Sequence, residues 1–404
     1  MGEVSRREFA AWVGTAAAGL LPGPGARRLA ALAPPASRAA SWVPSEALLR
    51  DLPRLLELAM VPGIAVSVIE GGRTWQRGFG LACRDPERPV GSATLFEGAS
   101  LGKPVFAALV LRLRDARVLD LDRPLHDYLR LPDADDRTRR ITARHVLSNT
   151  TGLPNWRLQP GPLRPEFDPG KKFSYSGDGF FYLQRVVEQL TGSSTERTMA
   201  EHLFLPLGMT SSSYAWRQDF GAVMAKGYDS EGEVLEVYAD MGRRFARVAG
   251  DLKKPMHDWM YADMERAMAA TFPDLPVLPV YMMPNVAGSF LTTVSDYSRF
   301  LGAVVEPGNS FLSPRSRQEM IQPQVRLNSA LSWGLGWGIE ASGPGPLLWH
   351  WGANGSFRNF VLVDTAGRRA VVVFCNSSNG PKVYERIIAD VTGADHPAFL
   401  WFQV

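Results

Sequence analysis

The sequence predicts an α/β fold of the α+β type: an antiparallel sheet assembled from both ends of the chain, flanked by helices, with a mostly helical subdomain inserted into it. Three observations carry this expectation. β-rich runs cluster at residues 63–82, they return at residues 334–375, and the stretch between them alternates helical patterns with Pro/Gly loops. Of the 404 residues, 45% are hydrophobic and 21% charged, which suits a globular chain with a large core.

The elements follow in order. Gly63-Ile64-Ala65-Val66-Ser67-Val68-Ile69 is a strand, Glu70-Gly71-Gly72-Arg73 a turn, and Thr74 to Ala82 the second strand of a hairpin. A helical pattern from about Gly102 to Arg117 sets Val105, Leu109 and Leu113 on one face, a stripe that needs a sheet to cover it; Pro104 falls in the first turn, where it is tolerated. The helical insert runs from about 118 to 285. Its variable last part, 230–285, carries Met256, Met260, Met264 and Met268 at a spacing of four, the mark of a methionine-faced helix. Core packing is the default for such a face, and an adaptable lid or apolar substrate wall the alternative. Strands at Gly334–Glu340, Leu347–Trp351, Phe357–Asp364 and Arg369–Cys375 form a meander, and a helix from about Lys382 to Val391 closes a domain spanning 45–396.

The first forty residues read as an address. Ser5-Arg6-Arg7-Glu8-Phe9 precedes the uncharged stretch Ala10–Leu21, and Ala31-Leu32-Ala33 offers a cleavage site, the layout of a bacterial twin-arginine export signal. The apolar stretch is too short to span a bilayer, so the expected location is periplasmic or extracellular with no stable membrane span. A disordered basic tail is the competing reading.

Lys+Arg 44 against Asp+Glu 41 leaves a net charge of +3, too little to attract nucleic acid. The two cysteines, Cys83 and Cys375, lie in no zinc-spaced cluster; they are expected as buried free thiols, or as one bridge if the fold brings them together. No HExxH, GxxxxGK[ST] or strand-following GxGxxG occurs, so neither a metal nor an organic cofactor is expected.

Among the few lysines, Lys103 alone has a serine three positions before it, Ser100. Near a helix start this spacing puts hydroxyl and amine on one face, where a free amine can accept the hydroxyl proton. A helix N-terminus adds N–H groups for a developing oxyanion. Taken alone, the pair reads more readily as an ordinary serine N-cap beside an unrelated lysine. Tyr175-Ser176-Gly177 and His350-Trp351-Gly352 follow in the order expected of an S-x-x-K hydrolase.

With these motifs the chain resembles the serine β-lactamase-related superfamily, in the branch of class C β-lactamases, D,D-carboxypeptidases, D-aminopeptidases and related carboxylesterases. The resemblance runs from about residue 50 to 390 and includes Ile141–Leu147 with Thr151-Gly152-Leu153-Pro154, Pro206-Leu207-Gly208-Met209, Ala287-Gly288 with Asp296, and Gly334-Leu335-Gly336-Trp337. It implies a β-lactamase/transpeptidase-like fold and a small-molecule or peptide acyl substrate. Ser100 would be the nucleophile, Lys103 its base, and Tyr175 a proton shuttle whose pKa adjacent cations must depress. His350 and Trp351 would form the opposite wall, with the Ala353 N–H in the oxyanion hole and Gly352 sparing the substrate a crowding side chain.

Two departures bear on the substrate. The second motif usually ends in asparagine, where this chain has Gly177, and the third often opens with lysine, where it has His350. Both weaken the case for penicillin hydrolysis and favour an esterase or aminopeptidase-like activity. A penicillin- or peptide-binding sensor that acylates without turnover is the alternative. Gly98-Ala99-Ser100-Leu101-Gly102 also fits the G-x-S-x-G elbow of α/β-hydrolases, although only one hairpin precedes it.

Overall fold

A computed structural model describes residues 42–402, apart from 158–160, 236, 272–282, 307, 309 and 343–344. The proposed export signal lies outside the described residues. No described helix is long and apolar enough to cross a membrane.

The chain enters through helix α1 (Glu46–Leu58) and the strands β1 (Gly63–Glu70), β2 (Arg73–Arg84), β3 (Glu87–Pro89) and β4 (Leu95–Ala99). Helix α2 (Gly102–Asp115) opens the helical part, which includes α3 (Gly177–Thr191), the short pair β5 (Gly227–Tyr228) and β6 (Val234–Leu235), α4 (Val237–Asp251) and α5 (Tyr261–Thr271). The chain returns through β7 (Phe290–Thr293) and α6 (Val294–Val305). It then adds β8 (Val325–Arg326), β9 (Leu331–Trp333), β10 (Gly338–Ser342), β11 (Gly345–Asn354), β12 (Phe357–Asp364) and β13 (Arg369–Cys375), followed by α7 (Pro381–Thr392) and the short α8 (Pro397–Phe402).

The main sheet is antiparallel, in the order β3-β2-β1-β13-β12-β11-β10-β9-β8. The two ends of the chain meet where β1 pairs β13, from Ile64 opposite Cys375 to Glu70 opposite Arg369. Alternation along these strands splits the core in two. Val66, Val68, Val371 and Val373 face α1 and α7, whereas Ala65, Ile69, Val372 and Phe374 face the layer of α2, α3 and α6. Both faces are covered, which is why these strands read as near-continuous apolar runs, interrupted in β1 only by Ser67.

Three details depart from the sequence expectations. Gly334–Trp337 is a turn, with Gly336 at φ 83, so the expected strand from Gly334 becomes β9, a bend and β10. Helix α2 is buried on every side from Gly102 to Leu111, because it is sandwiched between sheet and helical layer and presents no polar face. The methionine helix is broken: Met256 sits in a 3-10 turn and α5 begins only after Met260. Met256, Met264 and Met268 are buried core residues, as the default reading has it. Cys83 and Cys375 are free and buried.

Candidate active site

Ser100 stands in the turn between β4 and α2. The preceding Ala99 is forced to φ 51, a left-handed conformation that a non-glycine residue adopts at a cost. The flanking glycines have a packing role: a Cβ on Gly98 would lie 2.6 Å from Phe290 Cδ1, and one on Gly102 2.6 Å from Phe290 Cβ. The G-x-S-x-G pattern thus seats an aromatic ring of β7 beneath the turn, and the antiparallel sheet excludes the α/β-hydrolase reading. Ser100 caps nothing, since α2 begins after Leu101 with no side-chain cap. Its hydroxyl faces Lys103 instead.

Lys103 Nζ lies 3.0 Å from Ser100 Oγ and donates to the Ala287 carbonyl at 2.5 Å. Ser100 Oγ is 3.4 Å from that carbonyl. Burial alone lowers the Lys103 pKa to about 7, because an ammonium taken out of water is costly. The amine also lies over the Tyr175 ring, 4.7 Å from its centroid. A free amine is therefore accessible near neutrality. The Ala287 carbonyl is a functional group that motif reasoning did not isolate, although Ala287-Gly288 stood out as a phrase.

Tyr175 is held by its neighbours' backbone. Asn149, at φ 54, accepts the Ser174 N–H on its carbonyl (2.7 Å) and the Ser176 N–H on Oδ1 (3.1 Å), gripping the chain on both sides of the tyrosine. The ring rests 4.9 Å from the Trp351 ring and 6.2 Å from those of Trp333 and His350. Tyr175 Oη is buried and, among the described residues, makes no well-aligned hydrogen bond. Burial pushes its pKa up, and the nearby Ser100 hydroxyl offsets only part of this. The expected depression by adjacent cations is not found: the ammonium sits over the ring face, and desolvation of the phenolate dominates.

His350, on β11, is fully buried. Burial first, and the Lys103 charge second, lower its pKa to about 3, so it is neutral. Its Nδ1 lies 2.7 Å from the Trp351 carbonyl, while Nε2 is buried and, among the described residues, has no hydrogen-bond partner. Gly352 has a packing reason as well: a Cβ there would lie 2.2 Å from the Gly98 carbonyl, so the glycine lets β11 pack against the Ser100 turn. Past Gly352 the hairpin turns in two residues, which makes Asn354 and Phe357 its closing hydrogen-bonded pair. By alternation the Ala353 N–H then points away from β12, on a strand edge that β10 leaves open beyond Trp349. Gly177, the first residue of α3, lies under the indole of Trp156, which sequence reasoning gave no signal to find.

A family model described as Beta-lactamase matches residues 52–392. The chain belongs to the beta-lactamase family. This beta-lactamase-family chain is 24% identical over 360 residues to a penicillin-binding protein of Bacillus subtilis (strain 168), covering 83% of this chain and 72% of that one. It is 30% identical over 193 residues to Esterase EstB of Burkholderia gladioli, across 40% of this chain and 48% of the esterase. Among solved structures it superposes on a class C beta-lactamase with a TM-score of 0.67 at 18% identity, covering 86% of this chain and 94% of the other. The family is one of hydrolytic enzymes, and the fold matches the sequence expectation in class and in the joining of both chain ends in one sheet.

Proposed function

We propose that this protein is a serine acyl hydrolase that forms an acyl-enzyme at Ser100 and releases it to water, cleaving an ester or amide of a small molecule or peptide. The observation that carries the reading is Lys103: an amine with a pKa near 7, 3.0 Å from the hydroxyl. One of its N–H bonds is given to Ala287, which leaves the nitrogen lone pair for the Ser100 proton.

As Oγ attacks the acyl carbonyl, its proton passes to Lys103 and the carbonyl π electrons move onto oxygen, facing the N–H groups of Ser100 and Ala353. Collapse of this intermediate breaks the bond to the leaving group, which takes a proton from the Tyr175 hydroxyl while Lys103 returns one to Tyr175. Water then repeats the steps on the acyl-enzyme. Tyr175 works as a neutral acid, since burial disfavours its phenolate. His350 and Trp351 form the facing wall, and a neutral His350 supplies no cation for a substrate carboxylate. Together with a second motif that ends in Gly177, this favours esters over β-lactams, in keeping with the similarity to an esterase. We place the activity in the bacterial envelope on the twin-arginine pattern of residues 1–40.

The test is a panel of p-nitrophenyl esters of graded chain length, D-alanyl peptides, D-amino-acid amides and a chromogenic cephalosporin, run on wild type and Ser100→Ala. Ester turnover that vanishes in Ser100→Ala is expected. Turnover of the cephalosporin alone would overturn the ester preference. Persistent acylation by a fluorophosphonate or β-lactam with no ester turnover would instead establish a sensor.

A further inference from the structure

The carbonyl that holds Lys103 belongs to residues 283–289, which form no helix or strand, so something else must fix its direction. Helix α3 does this. Gln184 is fully buried and grips the loop on both sides of its bend: Oε1 accepts the Val286 N–H (3.0 Å) and Nε2 donates to the Pro284 carbonyl (2.8 Å). The same Nε2 reaches Glu188 Oε1 at 3.0 Å, one helical turn on. Glu188 is buried too and receives the Thr195 hydroxyl (2.9 Å) and the N–H of Tyr261 (3.0 Å), the first residue of α5. With three donors converging on Glu188, the Gln184 amide has one orientation. Within the loop, Asn285 Oδ1 takes the Ala287 N–H (2.8 Å), the Asn285 carbonyl takes the Gly288 N–H (3.2 Å), and one peptide further on Asn354 Nδ2 donates to the Gly288 carbonyl (2.6 Å). The peptides before and after Ala287 are therefore both tied.

An apolar side chain would fill this core position without the cost of burying an amide, so the amide calls for a reason. We propose that Gln184 is a positioning residue for Lys103: by fixing Pro284 and Val286 it aims the Ala287 carbonyl at Nζ, which keeps the amine directed at Ser100. A displacement of about 1 Å in such a chain of contacts is enough to lower turnover about 100-fold. The inference rests on the reading above that Lys103 activates Ser100.

The experiment compares wild type, Gln184→Met, Gln184→Glu and Lys103→Ala on a p-nitrophenyl ester, with rates normalised to sites titrated by a fluorophosphonate so that misfolded protein does not count. Gln184→Met is expected to lower kcat at least tenfold with KM within about twofold, and to move the acid limb of the pH profile upward as water reaches the amine. Gln184→Glu keeps an acceptor for Val286 and should fall in between. If Gln184→Met lowers only the melting temperature, with kcat, KM and acid limb as in wild type, Gln184 is merely structural and the proposal is overturned. Turnover surviving in Lys103→Ala would sink the underlying reading instead; its loss there beside wild-type kinetics in Gln184→Met would sink this inference alone.

Discussion

Trp156 occupies the space into which a side chain at Gly177 would point, since a Cβ built on that glycine would lie 2.4 Å from Trp156 Cζ2. The indole is pinned there. Asn155 Oδ1 accepts the Gly177 N–H at 3.0 Å, the Asn155 carbonyl accepts the Asp178 N–H at 2.9 Å, and Arg157 Nε meets Asp178 Oδ2 at 2.8 Å. Where the second motif usually carries an amide, this protein carries an aromatic ring. Gly177→Asn is therefore expected to cost about 1–3 kcal/mol of stability by overpacking. Adding Trp156→Ala should recover part of that loss. A double-mutant cycle in urea checks the coupling, which should be about 1 kcal/mol or more.

How much of this was legible in the sequence depends on whether a residue acts through its type or through its surroundings. Ser100, Lys103 and Tyr175 carry spacing and chemistry that mark them, and the apolar runs of β1 and β13 announce strands covered on both faces. The Ala287 carbonyl is a backbone group and Gln184 an amide in a helix, and neither has a residue signature. Trp156 acts through the direction of the Gly177 Cβ vector, which the sequence does not encode. The direction of the Tyr175 pKa shift is not legible in the sequence, which shows a cation for the site but neither the depth of burial nor the face of the ring that the cation occupies. Gly334–Glu340 reads as one strand because Trp337 continues its pattern across a bend that Gly336 makes.

Ester turnover should follow the titration of Lys103. With the amine pKa lowered to about 7 by burial, kcat/KM is expected to rise with pH through that value, close to tenfold per unit below it, and then to level off. The Tyr175 phenol, pushed upward, adds no falling limb near neutrality, and His350 at about 3 adds none between pH 5 and 9. A pH–rate profile from 5 to 9 checks all three. Lys103→Ala should lower kcat/KM by about 100- to 10,000-fold.

Neither cysteine should react in the folded protein. Cys83 and Cys375 are buried, and burial pushes the Cys375 thiol up to about 12, where almost no thiolate exists at pH 8. A chromogenic disulfide reagent is expected to label neither thiol in buffer and both in guanidinium chloride. Labelling without denaturant would show that the sheet opens locally.

The same burial that makes Lys103 useful should mark the stability of the protein against pH. Burial raises Glu196 to about 7 and Asp178 to about 6, so between roughly pH 4 and 7 the folded state holds protons that the unfolded chain has released, and these groups make stability fall as pH rises. Lys103 acts in the opposite direction above that range. From about pH 7 to about 10.4 the unfolded chain keeps the lysine proton and the folded state does not, so stability climbs by up to about 1.4 kcal/mol per pH unit. These three groups together place a minimum near pH 7. Lys103→Met should be more stable than wild type at pH 7 and below, with an advantage that shrinks towards pH 9, the signature of a residue kept for reactivity at the expense of the fold. Urea unfolding at pH 5, 7 and 9 measures this. An advantage of Lys103→Met that stays constant across those values would mean that Lys103 does not titrate near neutrality, and the amine would lose its claim to be the base for Ser100.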